Sequence, residues 1–243
     1  MKKTLLNGIV YNSGRLDEFI DFIISEFKKD NSTGKIIVHI NLRNYYYMNR
    51  NKELYEFIRT KCFAVFEGIG MKAAFYLKGL GNLNDLNGTD SIPEFLKQLE
   101  GGNGIFLLGS RNNIVEIAAK NIKYNYPHLE VKGYHTGYFS IEDEKNVVQK
   151  IINSETKILL IGRGFPLEEE FIRRNYEKLK NLYIWNVGGL FDFISGEKKR
   201  APGFIRSLRL EWLYRMLKEP KRMLFRNTVA AYWSFYNILT GKG

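Results

Sequence analysis

The chain has 243 residues, 44% hydrophobic and 14% aromatic, a length that buries roughly 70–75% of the unfolded surface and supports one full core. Three histidines and one cysteine, Cys62, exclude a disulfide scaffold and a cysteine-rich metal site. The formal charge of +11 is uneven: residues 197–243 hold 11 basic and 3 acidic residues, a balance of +8, which leaves +3 on residues 1–196.

Apolar runs predict strands at Thr4–Tyr11, Lys35–Asn41, Cys62–Phe66, Gly104–Leu108, Leu129–Lys132, Lys157–Gly162 and Leu182–Val187. Helical patterns fall between them near 14–29, 46–60, 90–100, 112–126, 141–153 and 167–180. In the third, Asp90 is a candidate N-cap, with Pro93 and Glu94 in the first turn. Short β-rich runs separated by helices of this length read as βαβ units, so the expected class is α/β with a mainly parallel sheet. Cys62, in Cys-Phe-Ala-Val-Phe, reads as a small buried hydrophobe.

The pattern breaks at Gly196–Gly203, which suggests a division into residues 1–196 and 197–243. Beyond the break, 204–218 and 220–239 read as two helices, with Pro220 suited to opening the second. Basic charge there alternates with Trp212, Tyr214, Trp233 and Tyr236. Such a segment suits an anionic membrane, a phosphorylated ligand or nucleic acid; it is equally the composition of a docked hairpin with a solvated basic edge. Recognisable nucleic-acid-binding signatures are missing, so no nucleic-acid partner is expected. Met1-Lys2-Lys3 runs into Asn7, Gly8 and Asn12 without a signal-peptide core, and no apolar stretch is long enough to span a bilayer. A cytoplasmic location is expected.

Ligands of open α/β sheets bind beyond the carboxyl ends of the strands. Three glycine-bearing turns fall there: Gly109-Ser110-Arg111, Gly162-Arg163-Gly164-Phe165-Pro166 and Gly188-Gly189-Leu190-Phe191-Asp192. Glycine lets a backbone approach a phosphate closely, although none of the three is a dinucleotide fingerprint or a Walker A loop.

The string Asn186-Val187-Gly188-Gly189-Leu190-Phe191-Asp192-Phe193, with Lys199-Arg200-Ala201-Pro202, Leu210-Glu211-Trp212 and Glu219-Pro220 after it, resembles the WecG/TagA/CpsF family of bacterial glycosyltransferases. Upstream blocks agree in collinear order: Glu67-Gly68-Ile69-Gly70, Gly88-Thr89-Asp90, Phe106-Leu107-Leu108-Gly109, Gly133-Tyr134-His135-Thr136-Gly137-Tyr138 and Gly162-Arg163-Gly164-Phe165-Pro166. The resemblance implies a Rossmann-like core and inverting, metal-independent transfer, with no cofactor. The sugar, N-acetylmannosamine-like, its uronic acid or another hexose, would move from a UDP-sugar donor to a polyprenyl-diphosphate-linked saccharide in cell-wall or surface polysaccharide synthesis, including teichoic acid. It also implies a C-terminal helical appendage that seats the enzyme peripherally on the inner face of the membrane and supplies arginines to the site. The closed monomer would form when a homo-oligomer dissociates.

Four positions depart from the family pattern. The general-base aspartate is Glu67, and a Thr-x-Asn is His39-Ile40-Asn41. A Pro-Lys-Gln-Glu turn is Pro166-Leu167-Glu168-Glu169, and an arginine before Gly-Thr-Asp is Asp85. These changes point to a different donor sugar or acceptor, or to a catalytically inactive scaffold.

Inverting transfer needs a base for the acceptor hydroxyl and positive charge against the leaving diphosphate. The sequence carries no Asp-x-Asp pair, and arginine can hold a diphosphate through its planar fork. Glu67, at the end of an apolar run, is the candidate base, and His39 its rival. Arg215, Arg222 and Arg226 form the candidate clamp. Asn41, Asp85 and Glu168 are candidates for the sugar and acceptor. Gly109, Gly137, Tyr138, Gly164, Pro166, Gly188, Gly189 and Asp192 would shape the uridine and ribose pocket. Tyr45-Tyr46-Tyr47 suggests a sugar-stacking patch, but reads better as packing.

Overall fold

The computed structural model describes residues 1–29, 34–203, 205, 211–218 and 220–241, with the side chains of 211, 212, 215, 216 and 220–227 left outside the description. Strands β1 (Lys2–Leu6), β2 (Ile9–Ser13), β3 (Ile36–Ile40), β4 (Cys62–Phe66), β5 (Gly104–Gly109), β6 (Glu130–His135), β7 (Ile158–Gly162) and β8 (Tyr183–Asn186) form one sheet in the order β1-β2-β4-β3-β8-β7-β5-β6. Every neighbouring pair is parallel except β1 and β2. The α/β class with a mainly parallel sheet is therefore the observed one.

Helices α1 (Leu16–Lys28), α2 (Leu42–Met48), α3 (Lys52–Lys61), α4 (Ile69–Leu77), α5 (Gly88–Gln98), α6 (Asn112–Asn125), α7 (Glu144–Asn153), α8 (Leu167–Arg174) and α9 (Tyr176–Leu179) connect the strands, and α10 (Leu190–Ile194) follows β8. Among the described residues two more follow, α11 (Glu211–Lys218) and α12 (Pro220–Thr240). The central strands are buried on both faces, as β3 (Ile-Ile-Val-His-Ile) shows, so alternate side chains feed two cores. Ile36, Val38 and Ile40 join α2, α3, α4, α7 and α8 on one face. Ile37 joins α1, α5, α6 and α10 on the other. The chain therefore leaves β3 and β8, which are neighbours, toward opposite faces, the switch point outside which ligands of open α/β sheets bind.

Several expectations are corrected. The strand Thr4–Tyr11 is a hairpin: Asn7 (φ 47°) and Gly8 (φ 77°) are both left-handed, the requirement of a two-residue type I′ turn, for which Asn-Gly is the preferred pair. The helix expected at 46–60 is two, because Asn41 and Asn51 each accept from a backbone N–H three residues on and start a new helix. The stretch 167–180 likewise breaks at Asn175 between α8 and α9. The cap of α5 is Asn87, whose Oδ1 accepts from Thr89 N at 2.8 Å, and Asp90 sits in the first turn. Helix α4 was not foreseen.

The C-terminal half of α12 packs on the core. Ser234 Oγ donates to Leu42 O at 2.6 Å, Lys78 Nζ donates to Ile238 O, and Ile238 lies in the first core. Trp233 meets Tyr46 edge-on at 5.3 Å, and the Arg50 guanidinium lies 4.1 Å over the Tyr46 ring. Tyr45 is buried, its hydroxyl accepting from Asn7 Nδ2 at 2.6 Å. The three tyrosines therefore serve packing. Among the described residues, no helix is long and apolar enough to cross a membrane.

Candidate functional site

The carboxyl ends of β8, β7, β5 and β6 are held together backbone on backbone. A Cβ on Gly162 would lie 2.6 Å from Gly188 O, one on Gly109 2.4 Å from Gly162 O, and one on Gly137 2.9 Å from Gly109 Cα. Only glycine permits that approach. Gly164, Gly188 and Gly189 differ: nothing stands within 4 Å of a Cβ placed on any of them, so their backbone faces open space. Gly164 (φ 81°) and Gly188 (φ 51°) are left-handed as well.

Side chains lock this floor. Ser110, itself left-handed at φ 53°, donates from its N–H to Gly162 O at 3.2 Å and from Oγ to Asp192 Oδ1 at 2.8 Å. Asp192 Oδ2 pairs with Lys198 Nζ at 2.8 Å. Arg163 donates from Nε to Gly137 O at 2.8 Å and lies 3.9 Å over the Phe139 ring. Tyr138 stands exposed at the rim, and Pro166 precedes α8. Where a uridine pocket is expected, the structure has a glycine floor braced by Ser110, Lys198 and Arg163. None of these three is given a role from sequence: the partners of Ser110 and Arg163 lie tens of residues away, and Lys198 reaches Asp192 only through the path of the loop after α10.

The ends of β3 and β4 bring together another group. Glu67 follows β4, half-buried, its N–H donating to Ile40 O at 3.1 Å. Gly68 is left-handed (φ 94°) and donates its N–H to Asp85 Oδ1 at 2.8 Å. A Cβ on Gly68 would sit 3.8 Å from Asn41 Cβ. Glu67, Asp85 and Asn41 therefore surround one turn.

His39 does not join them. It is buried, Nδ1 lies 3.0 Å from Leu86 O, and Nε2 accepts from the Trp185 indole N–H at 2.8 Å. With the proton on Nδ1 both ring nitrogens are satisfied, and burial lowers the pKa to about 4. Gly88 lies against this ring, where a Cβ would come within 3.3 Å. A neutral imidazole with no open nitrogen is a brace between β3, β8 and the Leu86 loop, so the expectation of a rival base is corrected.

Between the two groups lies a buried acidic pair. Glu168 Oε2 accepts from the N–H groups of Arg163 (3.1 Å) and Gly164 (2.9 Å), so it shapes the β7 turn. Glu169 Oε1 accepts from Asn186 Nδ2 at 2.6 Å. Burial pushes Glu168 up to about 7; burial and the Glu168 carboxylate push Glu169 higher than usual. Arg43 stands nearby, donating from Nη2 to Phe165 O at 3.1 Å. The side chains of Arg215, Arg222 and Arg226 lie outside the described residues.

Glu67 follows β4 on the same sheet edge as the exposed backbone of Gly164, Gly188 and Gly189, and a carboxylate near such turns suits transfer to a hydroxyl from an anionic leaving group. Comparison with known proteins gives that chemistry a context. An N-acetylglucosaminyldiphosphoundecaprenol N-acetyl-beta-D-mannosaminyltransferase of Staphylococcus aureus (strain MW2) is 28% identical over 217 residues, 89% of this chain and 85% of that protein. The enzyme of that name in Bacillus subtilis (strain 168) is 26% identical over 228 residues, 92% of this chain and 88% of that protein. The family model of glycosyl transferases of the WecG/TagA/CpsF type matches residues 4–242, and with that span the chain is a member of this glycosyltransferase family.

Proposed function

We propose that the protein transfers a sugar, N-acetylmannosamine or a close relative, from a UDP-sugar to a polyprenyl-diphosphate-linked N-acetylglucosamine or similar saccharide, in cell-wall or surface polysaccharide synthesis. The observation that carries this reading is the placement of Glu67, Asn41 and Asp85 around the Gly68 turn, on the same sheet edge as the open glycines Gly164, Gly188 and Gly189.

Glu67 takes the proton of the acceptor hydroxyl as its oxygen attacks the anomeric carbon, and the bond to UDP breaks with inversion. Asn41 and Asp85 orient the acceptor. The floor at Gly109, Gly137, Gly164, Gly188 and Gly189 receives the nucleotide, with Tyr138, Pro166 and Asp192 at its border; Glu168 sets the turn beneath. Arg215, Arg222 and Arg226 neutralise the departing diphosphate, so no metal is needed. The basic tail draws the enzyme to an anionic inner leaflet from the cytoplasmic side.

The first test is thermal stabilisation by UDP, GDP and CMP. A ligand at a hundred times its dissociation constant adds about 2.7 kcal/mol. Stabilisation by UDP alone, followed by EDTA-insensitive transfer from UDP-N-acetylmannosamine to a lipid-linked N-acetylglucosamine, is the expected result. Nucleotide binding with no transfer to any lipid-linked acceptor would favour the inactive scaffold.

A further inference from the structure

Helix α4 breaks a rule of surface helices. Its inner face, Met71, Ala74 and Phe75, is buried in the core. Its outer face should then be polar, yet the outward positions are Ile69, Ala73, Tyr76 and Leu77, with Tyr76 64% and Leu77 62% exposed. Scattered exposed apolar residues are ordinary, but a helix apolar on nearly all sides needs a partner. Lys72 and Lys78 are its only charged neighbours from 69 to 80.

The adjoining helix repeats the pattern. Helix α12 packs against α4, and its exposed positions include Val229, Tyr232, Tyr236 and Leu239, spaced along one helix at intervals of three and four residues. Residues 69–80 and 228–240 together contain two basic residues, Lys72 and Lys78, and no aspartate or glutamate. Two copies meeting through this face would oppose like charges, whereas an anionic leaflet complements it. Tyrosine, apolar in body and polar at its tip, suits the headgroup boundary.

We propose that the outer face of α4 is a membrane-contacting surface, acting beside α12 to lay the enzyme on an anionic bilayer. The contact belongs to the α/β core as much as to the tail. Helix α4 starts one residue after the Glu67-Gly68 turn, so this pose puts the candidate base at the lipid and lets an acceptor's diphosphate reach it while its polyprenyl chain stays in the bilayer. The inference rests on the proposed use of a lipid-linked acceptor.

Sedimentation of the full-length protein with phosphatidylcholine vesicles, with and without phosphatidylglycerol, tests it. Wild type should bind the anionic vesicles, and Tyr76→Glu/Leu77→Glu should weaken that binding about tenfold or more although the tail is unchanged. Tyr124→Glu, on the 85% exposed Tyr124 of α6, should bind as wild type. Circular dichroism and UDP-induced stabilisation of each variant separate loss of the surface from loss of the fold or of the nucleotide reading. Undiminished binding by the double variant would overturn the proposal, leaving the tail as the anchor. So would a wild-type oligomer in solution that the double variant dissociates without change in vesicle binding, since a second copy would then own the face.

Discussion

At the ends of β5, β7 and β8 the backbone makes the surface, whereas at the ends of β3 and β4 side chains make it. On the first side three glycines stack within van der Waals contact of the next loop and three more face open space. On the second, Glu67, Asn41 and Asp85 converge on one turn, and His39 holds the strands behind them. Three departures from the family pattern, His39, Glu67 and Asp85, lie away from the stacked glycines, and the fourth, Glu168, holds the turn after Gly162 from beneath. Where the glycines stack, a Cβ on Gly109, Gly137 or Gly162 collides and little variation is tolerated; a surface made of side chains can be altered more freely. On the proposed function, the two sides divide into a fixed nucleotide platform and an adjustable sugar site.

The most damaging way to probe the adjustable side is Glu67→Gln. If Glu67 is the base, kcat should fall between about a hundredfold and ten-thousandfold, with the melting temperature and UDP binding unchanged. Transfer at the wild-type rate would remove Glu67 from the mechanism. The platform is tested by Gly109→Ala. Its methyl group would start 2.4 Å from Gly162 O at φ 157°, so stability should drop by about 3 kcal/mol, or roughly 6–12 °C in Tm for a chain of this size. An unshifted melt would mean that the loops can part and that the platform is not fixed.

A subtler substitution separates bracing from catalysis. His39→Leu leaves the Trp185 N–H and Leu86 C=O without their partner, a cost of about 2–3 kcal/mol. Because both ring nitrogens are occupied, the pH profile of kcat should keep its acidic limb. Loss of that limb in a folded variant would return His39 to the role of base.

These contrasts also explain what the sequence made legible. Turn glycines are readable because the need for them is local: Gly188-Gly189 and Gly162-Arg163-Gly164 lie where strands end. The role of His39 was hidden, since Trp185 is 146 residues away and Leu86 is 47 away, and a histidine flanked by Val38 and Ile40 reads equally as ligand, base or brace. Asp85 could be singled out, but its grip on the Gly68 N–H depends on a loop path that no local pattern encodes. Helix α4 escaped notice for a physical reason: with both faces apolar, it shows no amphipathic period. The Asn7-Gly8 turn was in plain view and was overridden by the apolar residues on either side of it.

The buried acidic pair between the two sides offers the mildest test, through pH. Glu168 is raised to about 7 and Glu169 is raised as well, both chiefly by burial, so the folded protein holds their protons where the unfolded chain, with ordinary values near 4.5, has lost them. Stability from each is full below about pH 4.5 and is lost as pH rises toward the folded value. His39 works the other way: lowered to about 4, it stays neutral in the fold while the unfolded chain binds a proton, so its contribution grows from about pH 4 to 6.5. Depressed carboxylates such as Glu26, at about 2, act below this window. Two falling contributions against one rising one leave the wild type losing stability between about pH 4.5 and 6.5. Glu168→Gln removes one of the falling pair, so its melting temperature should be nearly flat there. Its gain over wild type should be absent near pH 4 and reach the order of 2 kcal/mol above pH 7, reduced by whatever the amide loses in holding the Arg163 and Gly164 N–H groups. A constant offset at every pH would mean that Glu168 stays ionised in the fold. The carboxylate would then be a permanent negative charge under the nucleotide platform, and the division between the fixed and adjustable sides would have to be redrawn with Glu168 among the groups that a sugar can meet.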